Sequence, residues 1–241
     1  MKNYSKEKTT ENLKIEDTAA QAQSVTVTAV SGNSISVTFQ GIDGNQPNAF
    51  GDYLAIWQNG NSIPWTTKPL QTQKIQNTTP TGSANFDNLD VTINSYIVGY
   101  AVGPVLTGPG MQPQGNVCAS SYIPATGPNA AGSNPDKFVP SLSMNNVGSN
   151  SVSVTYKLPS GVATLSNGAW IGIWNSEQAP YKTPPPMAFN KIQTNQSNST
   201  AGINGLNLQR GQTYTIGLFM SGYDDSKPDQ TAMACTVTFS V

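Results

Sequence analysis

Tyr53-Leu54-Ala55-Ile56-Trp57 and Trp170-Ile171-Gly172-Ile173-Trp174 carry the side chains in this chain best suited to hold a ligand. Alternate residues of a strand share a face. Leu54, Ile56, Ile171 and Ile173 therefore point one way. Tyr53, Ala55 and Trp57, and Trp170, Gly172 and Trp174, point the other. Aromatics flanking a small residue can stack on a sugar ring or on another protein. The commoner arrangement of such rings is to lie flat across the glycine of a neighbouring strand, covered by the long loop over 58–73 or 175–190. An inverted register would instead turn the Trp into the core. Two Pro–aromatic segments, Ile63-Pro64-Trp65 and Ala179-Pro180-Tyr181, either present their ring or fold it back on the sheet. The candidate ligand-binding residues are thus Tyr53, Trp57, Trp65, Trp170, Trp174 and Tyr181.

The groups needed for catalysis are sparse. The chain has no His, which removes Ser-His-Asp, Cys-His and His–metal arrangements. Cys118 and Cys235 fall at matching places on a last strand, in phase with Val237 and Phe239, and read as small core hydrophobes rather than nucleophiles. Asp87 and Asp90 are the closest pair of acids within residues 23–123, and Asn204 stands where Asp87 would repeat, so a glycosidase-type carboxylate pair is not duplicated. Asp224, Asp225 and Asp229 supply hard oxygen donors for a cation such as calcium. Their spacing matches no calcium loop, and the corresponding segment Pro104 to Gly115 has no acid, so a solvated turn is the simpler reading. No glycine-rich phosphate loop is present, and no cofactor is implied.

Charged residues make up 10% of the chain, against roughly 25% in ordinary domains, and the net charge is -1. That balance offers no attraction to nucleic acid or an anionic membrane surface, and it removes a brake on self-association. Residues 1–20 hold Lys2, Lys6, Glu7, Lys8, Glu11, Lys14, Glu16 and Asp17, a concentration that predicts a solvated leader over 1–22. This leader lacks the apolar run of a secretory signal. Cytoplasmic synthesis, a removed signal or another export route all remain open. No stretch reaches the ~18 apolar residues of a membrane-spanning helix, so membrane insertion is not expected.

These elements belong to one unit written twice. Ser31 to Phe39 matches Gly148 to Tyr156, and Asp52 to Trp57 matches Ala169 to Trp174. Lys74-Ile75-Gln76 returns as Lys191-Ile192-Gln193, and Tyr96 to Gly99 as Tyr214 to Gly217. Ordered matches at a nearly constant offset identify a tandem duplication. The Pro-, Gly- and Ala-rich stretch 124–140 reads as a linker between units 23–123 and 141–241. Period-two signals predict strands near 24–30, 33–40, 52–58, 73–78, 83–87, 95–103 and 116–123. The second set falls near 141–146, 150–157, 169–175, 190–194, 200–204, 212–221 and 232–240. Seven short strands per unit predict an all-β chain of two tandem sandwiches.

The motif Ile35-x-Val37-x-Phe39, with its repeat Val152-x-Val154-x-Tyr156, resembles the second strand of fibronectin type III domains, although the family's usual closing Trp is absent. Leu208 to Tyr214 is similar to the family's approach to its sixth strand, with Tyr214 and Tyr96 as corner tyrosines. The resemblance implies an immunoglobulin-like sandwich in which the third, sixth and seventh strands are neighbours. Gly99 and Gly217 would then face Ala55 and Gly172 across the ladder. It implies no particular function, because this fold hosts many.

The expected function is that of a non-enzymatic binding protein, extracellular or at a cell surface, whose partner is a glycan or a cell-surface protein. The alternative is a self-assembling coat, filament or stored inclusion, in which case cytoplasmic storage fits. A host-interaction or toxin role is compatible with either.

Overall fold

The computed structural model describes residues 16–125 and 136–241. The first half runs β1 (Glu16–Ala22), β2 (Ser24–Val30), β3 (Ile35–Gln40), a four-residue helix α1 (Pro47–Phe50), β4 (Tyr53–Gln58), β5 (Gln71–Lys74), β6 (Thr81–Phe86), β7 (Tyr96–Ala101) and β8 (Val117–Ile123). The second runs β9 (Asp136–Phe138), β10 (Ser141–Gly148), β11 (Ser151–Lys157), β12 (Trp170–Trp174), β13 (Ala188–Lys191), β14 (Asn198–Asn204), β15 (Thr213–Phe219) and β16 (Met233–Ser240).

These strands form four antiparallel sheets. In sandwich 1 the three-stranded sheet β2-β3-β6 backs the five-stranded sheet β5-β4-β7-β8-β9. In sandwich 2 the sheet β10-β11-β14 backs β1-β16-β15-β12-β13. Ile35, Val37 and Phe39 alternate buried against their solvated neighbours, because a strand with one covered face must place its apolar residues at every second position. Leu54, Ile56, Val98 and Tyr100 meet them from the facing sheet, as Ile171, Ile173, Ile216 and Leu218 do in sandwich 2. Ser121 ties the two layers of sandwich 1, its hydroxyl donating to the Val25 carbonyl at 2.9 Å. Both corner tyrosines are in place. Tyr96 OH accepts from Asp90 N, and Tyr214 OH from Gln209 N, each at 2.9 Å.

Two segments differ from the sequence expectation. Residues 16–22, read as the end of a solvated leader, form β1, and 136–138, read as linker, form β9; the rest of both segments outside 16–125 and 136–241 lies beyond the described residues. Moreover, the two strands are exchanged. β1 precedes sandwich 1 in the chain but pairs with β16 of sandwich 2, with Ala20 opposite Val237. β9 precedes sandwich 2 but pairs with β8 of sandwich 1, with Lys137 opposite Ser121. Each leading strand thus completes the sheet of the other unit, and the repeat extends to this crossing as a pseudo-twofold relation. β5 and β13 also begin earlier than expected. Each starts where a main-chain N–H, Leu70 or Met187, bonds the carbonyl of Ile56 or Ile173.

Candidate functional site

The ladder sets Ala55 opposite Gly99 and Gly172 opposite Gly217, so the outer faces of both large sheets have the expected small centre. That face is nevertheless closed. Trp57 lies 2% exposed over Gly99, where an added Cβ would come within 3.2 Å of its ring, and its Nε1 donates to the Thr67 carbonyl. Trp174 is 2% exposed, its Nε1 bonded to the Pro184 carbonyl in its own Pro-rich loop. Trp170 is fully buried, stacked on Phe219 at 3.9 Å between ring centroids, with Nε1 bonded to the Ser221 carbonyl. Tyr53 is buried, its hydroxyl donating to Gln114.

The remaining cover comes from the other unit. Trp65 donates to the Ser160 carbonyl at 2.9 Å, and Gly161 packs so closely that a Cβ would sit 2.8 Å from Trp65 Nε1. Gln112 reaches the same loop, donating to the Gly161 carbonyl and accepting from Ala163 N. At the pseudo-equivalent place Tyr181 stacks on Phe50 at 5.2 Å and accepts from Gln23 Nε2. Ile42 and Phe50 thereby join Trp170, Trp174, Phe219 and Met233 in one buried cluster. None of Tyr53, Trp57, Trp65, Trp170, Trp174 and Tyr181 therefore forms an open platform. An outward sheet face this apolar loses water when a second apolar surface is tethered beside it, and burying each large ring contributes about 1.5–3 kcal/mol. Trp65 and Tyr181 reach across the joint between the sandwiches, while Trp57 and Trp174 are held by their own loops.

The other candidates disperse. Asp224 Oδ1 accepts from Ser226 N, Ser226 Oγ and Lys227 N, which holds its carboxyl down at about 2. Asp225 accepts from Tyr223 OH and Asp229 from Thr231 N. Among the described residues no group of three acidic, His or Cys side chains converges on a metal position. Asp87 and Asp90 bond locally to Asn85 and Thr92. Cys118 and Cys235 are buried free thiols, and burial pushes both well above the ordinary thiol range, away from nucleophilic character. They do not occupy matching positions. With Gly99 opposite Ser120 and Gly217 opposite Thr236, Cys118 corresponds to Ala234 and Cys235 to Ala119.

Among the described residues the buried acid is Asp52. Oδ2 accepts from Asn45 Nδ2 at 2.9 Å and Tyr100 OH at 2.7 Å, and Oδ1 from Gly103 N at 2.7 Å. Desolvation pushes its pKa above the ordinary 3.8 in spite of these three donors.

Open space of about 290 and 180 Å³ lies along the β2-β3-β6 sheet and beside β5 of sandwich 1, and a further cleft lies beside the joint. A cleft of about 330 Å³ runs between the outer face of sandwich 1 and the start of the β11–β12 loop of sandwich 2. It is lined by Asn61, Ser62, Phe138, Lys157 and Ser160, among others. The repeat relates it to a second site lined by Gln21, Ile42, Asp43, Glu177, Gln178 and Ala179, which has only about 10 Å³. Gln21 closes that site by accepting from Asp43 N across it. Phe138 replaces Gln21 in the open cleft and has no group to make that bridge. The aromatic pattern did not point here, since Asp136 and Phe138 sit in a stretch whose composition reads as linker.

No family model and no curated protein matches this chain. Among solved structures it is similar to a central fibronectin-III array of RIM-binding protein, at 11% identity over 82% of this chain and 61% of that one, TM-score 0.24. It is similar to the chicken CNTN1 FN1–FN3 domains, at 13% over 92% and 61%, TM-score 0.23. A biofilm-associated protein BSP domain matches at 15% over 86% and 27%, TM-score 0.20. The chain thus spans under two thirds of each. Its own strand order, three strands against five with two corner tyrosines, defines the class: tandem fibronectin type III-like β-sandwiches. Among the described residues no helix is long and apolar enough to cross a membrane.

Proposed function

We propose that this protein is a non-enzymatic binding module acting outside the cell or on a cell surface, and that the open cleft beside Phe138 is its contact surface for a glycan or a cell-surface protein. The observation carrying this reading is the inequality of two sites made by one duplication: one stands open at about 330 Å³ and the other is closed by its own side chains. A gap that served only packing has no reason to persist in one copy. The test compares Ser62→Trp, which fills the cleft, with Gln178→Trp at the closed counterpart, in attachment of the intact protein to cells and glycan arrays. Loss of attachment in the first alone is expected. Equal attachment by both variants would remove the cleft as contact surface.

Self-association is a second reading, favoured by one observation. Leu70 and Met187 occupy the same repeat position beside the edge strands β5 and β13, and both are about half exposed. Light scattering over a range of concentrations separates the two, since an assembling protein gains mass and a binding module stays monomeric.

A further inference from the structure

The cleft is built from both units. Asp136 and Phe138 of β9 stand opposite Tyr122 and Ser120 on the outer side of the sheet, and Ile97 of β7 lies opposite Tyr122 on the same face. Asn61 and Ser62 enter from the β4–β5 loop. Lys157 and Ser160 enter from sandwich 2. Asn61 Nδ2 donates to Asp136 Oδ2 at 2.8 Å, which fixes an amide and a carboxylate side by side at the rim. A carboxylate holding one donor keeps acceptor capacity, and the amide keeps an acceptor oxygen and a second N–H. Lys137 borders the cleft, but its ammonium is turned away to donate to Thr26 Oγ1 at 2.7 Å. One carboxylate, Asp136, and two lysines, Lys137 and Lys157, thus line the cleft, with the Lys137 ammonium held by Thr26. The floor is apolar: Ile97 and Ile63 are buried, and the half-buried Phe138 ring completes it.

From this combination we infer that the cleft takes a pyranose, a deduction that rests on the binding reading above. A pyranose has an apolar C–H face for Phe138 and Ile97. Its hydroxyls both donate and accept, which suits the Asp136–Asn61 pair and the Ser62 and Ser160 hydroxyls. The volume stands at the lower end of the ~300–1,000 Å³ of small-molecule sites, the size for a short saccharide rather than a larger ligand. A peptide added as a strand at the sheet edge would find only three residues in β9, too few for specific pairing. The closed counterpart cannot do the same. Gln21 replaces the aromatic, and Asp43 and Glu177 replace Ser160 and Asn61.

Calorimetric titration of the intact protein with the methyl glycosides of glucose, galactose, mannose and N-acetylglucosamine tests this, with a capped tripeptide as the peptide probe. At least one glycoside is expected to bind saturably. Asp136→Ala should weaken that binding about ten- to a hundredfold, as loss of a hydrogen bond to a charged group does, and Asn61→Ala should weaken it less. Glu177→Ala should leave it unchanged. Asp136 is exposed, so thermal unfolding of its variant should match the parent and confirm the fold. No binding by any glycoside, or equal binding by Asp136→Ala, overturns the pyranose assignment. If Ser62→Trp still abolishes attachment in that case, the cleft survives as a contact surface for a peptide. If Ser62→Trp has no effect either, both readings fall.

Discussion

The two joints between the sandwiches come from one duplicated sequence, yet they are sealed by different chemistry. Around the loop of sandwich 1 that meets sandwich 2 lie Gln23, Asn45, Asp52, Tyr100 and Tyr181, joined by Gln23–Tyr181, Asn45–Asp52, Asn45–Tyr100 and Tyr100–Asp52 hydrogen bonds. The repeat positions in the other joint are Pro140, Val162, Ala169, Leu218 and Trp65, of which only the Trp65 indole can bond. The polar joint is also imperfect. Gln23 Oε1 and Asn45 Oδ1 are buried with no partner among the described residues, and such groups cost about 1–3 kcal/mol each. A buried carboxylate cannot be moved to the apolar joint without losing its three donors. The difference therefore makes the pseudo-twofold packing directional: each loop fits only the face it covers.

The largest expected effect is Trp170→Ala. It removes a fully buried indole, its stack on Phe219 and its bond to Ser221, at a cost of about 3–5 kcal/mol. Because β1 and β9 are exchanged, the loss should lower a single unfolding transition for the whole chain, read by urea titration with fluorescence and circular dichroism. Two transitions, with sandwich 1 unmoved, would show that the joints do not couple the units.

The next effect separates the joints through one pair of glycines. Gly44 and Gly161 are repeat partners in the left-handed region, at φ 85° and 84°. Alanine at either costs about 1–2 kcal/mol of backbone strain. At Gly161 the new Cβ also meets Trp65 Nε1 at 2.8 Å, whereas at Gly44 the nearest atom of Tyr181 is an ordinary 3.6 Å away. Gly161→Ala should therefore lower the melting temperature more than Gly44→Ala. Equal losses would mean that the indole moves aside freely.

A smaller effect follows from the acid in the polar joint. Burial raises the Asp52 pKa above 3.8, so the folded protein binds its proton more tightly than the unfolded chain. The stability this group adds is present in full below 3.8 and is lost as pH rises through the raised value. Asp52→Asn should flatten that fall in stability toward neutral pH. A parent and variant with parallel pH profiles would show that Asp52 is not the source.

Least costly is Gln21→Ala. It removes one exposed hydrogen bond to Asp43 N, and stability should stay within about 0.5 kcal/mol. The closed site should open without acquiring glycoside binding, since Asp43 and Glu177 remain. Glycoside binding there would erase the proposed distinction between the clefts.

Much of this was legible from local pattern. The duplication, the alternating strands, the inward Leu54–Ile56 and Ile171–Ile173 pairs, the Ala55–Gly99 and Gly172–Gly217 partners and the corner tyrosines all follow from period-two spacing compared between two copies. The one-place misalignment of Cys118 and Cys235 marks the limit of that method, because the loops before β8 and β16 differ in length and residue type alone does not fix the offset beyond them. The sequence by itself determined which side chains share each face of each sheet, since side-chain direction along a strand is a local property. Only the tertiary structure decided what lies on those faces. Three residues of β9 carry no readable period, and the pairing of β1 with β16 and the seating of Tyr181 on sandwich 1 depend on contacts between residues more than a hundred positions apart. Covering an apolar face requires a second surface, and which surface arrives is set by long-range packing rather than by the residues being covered.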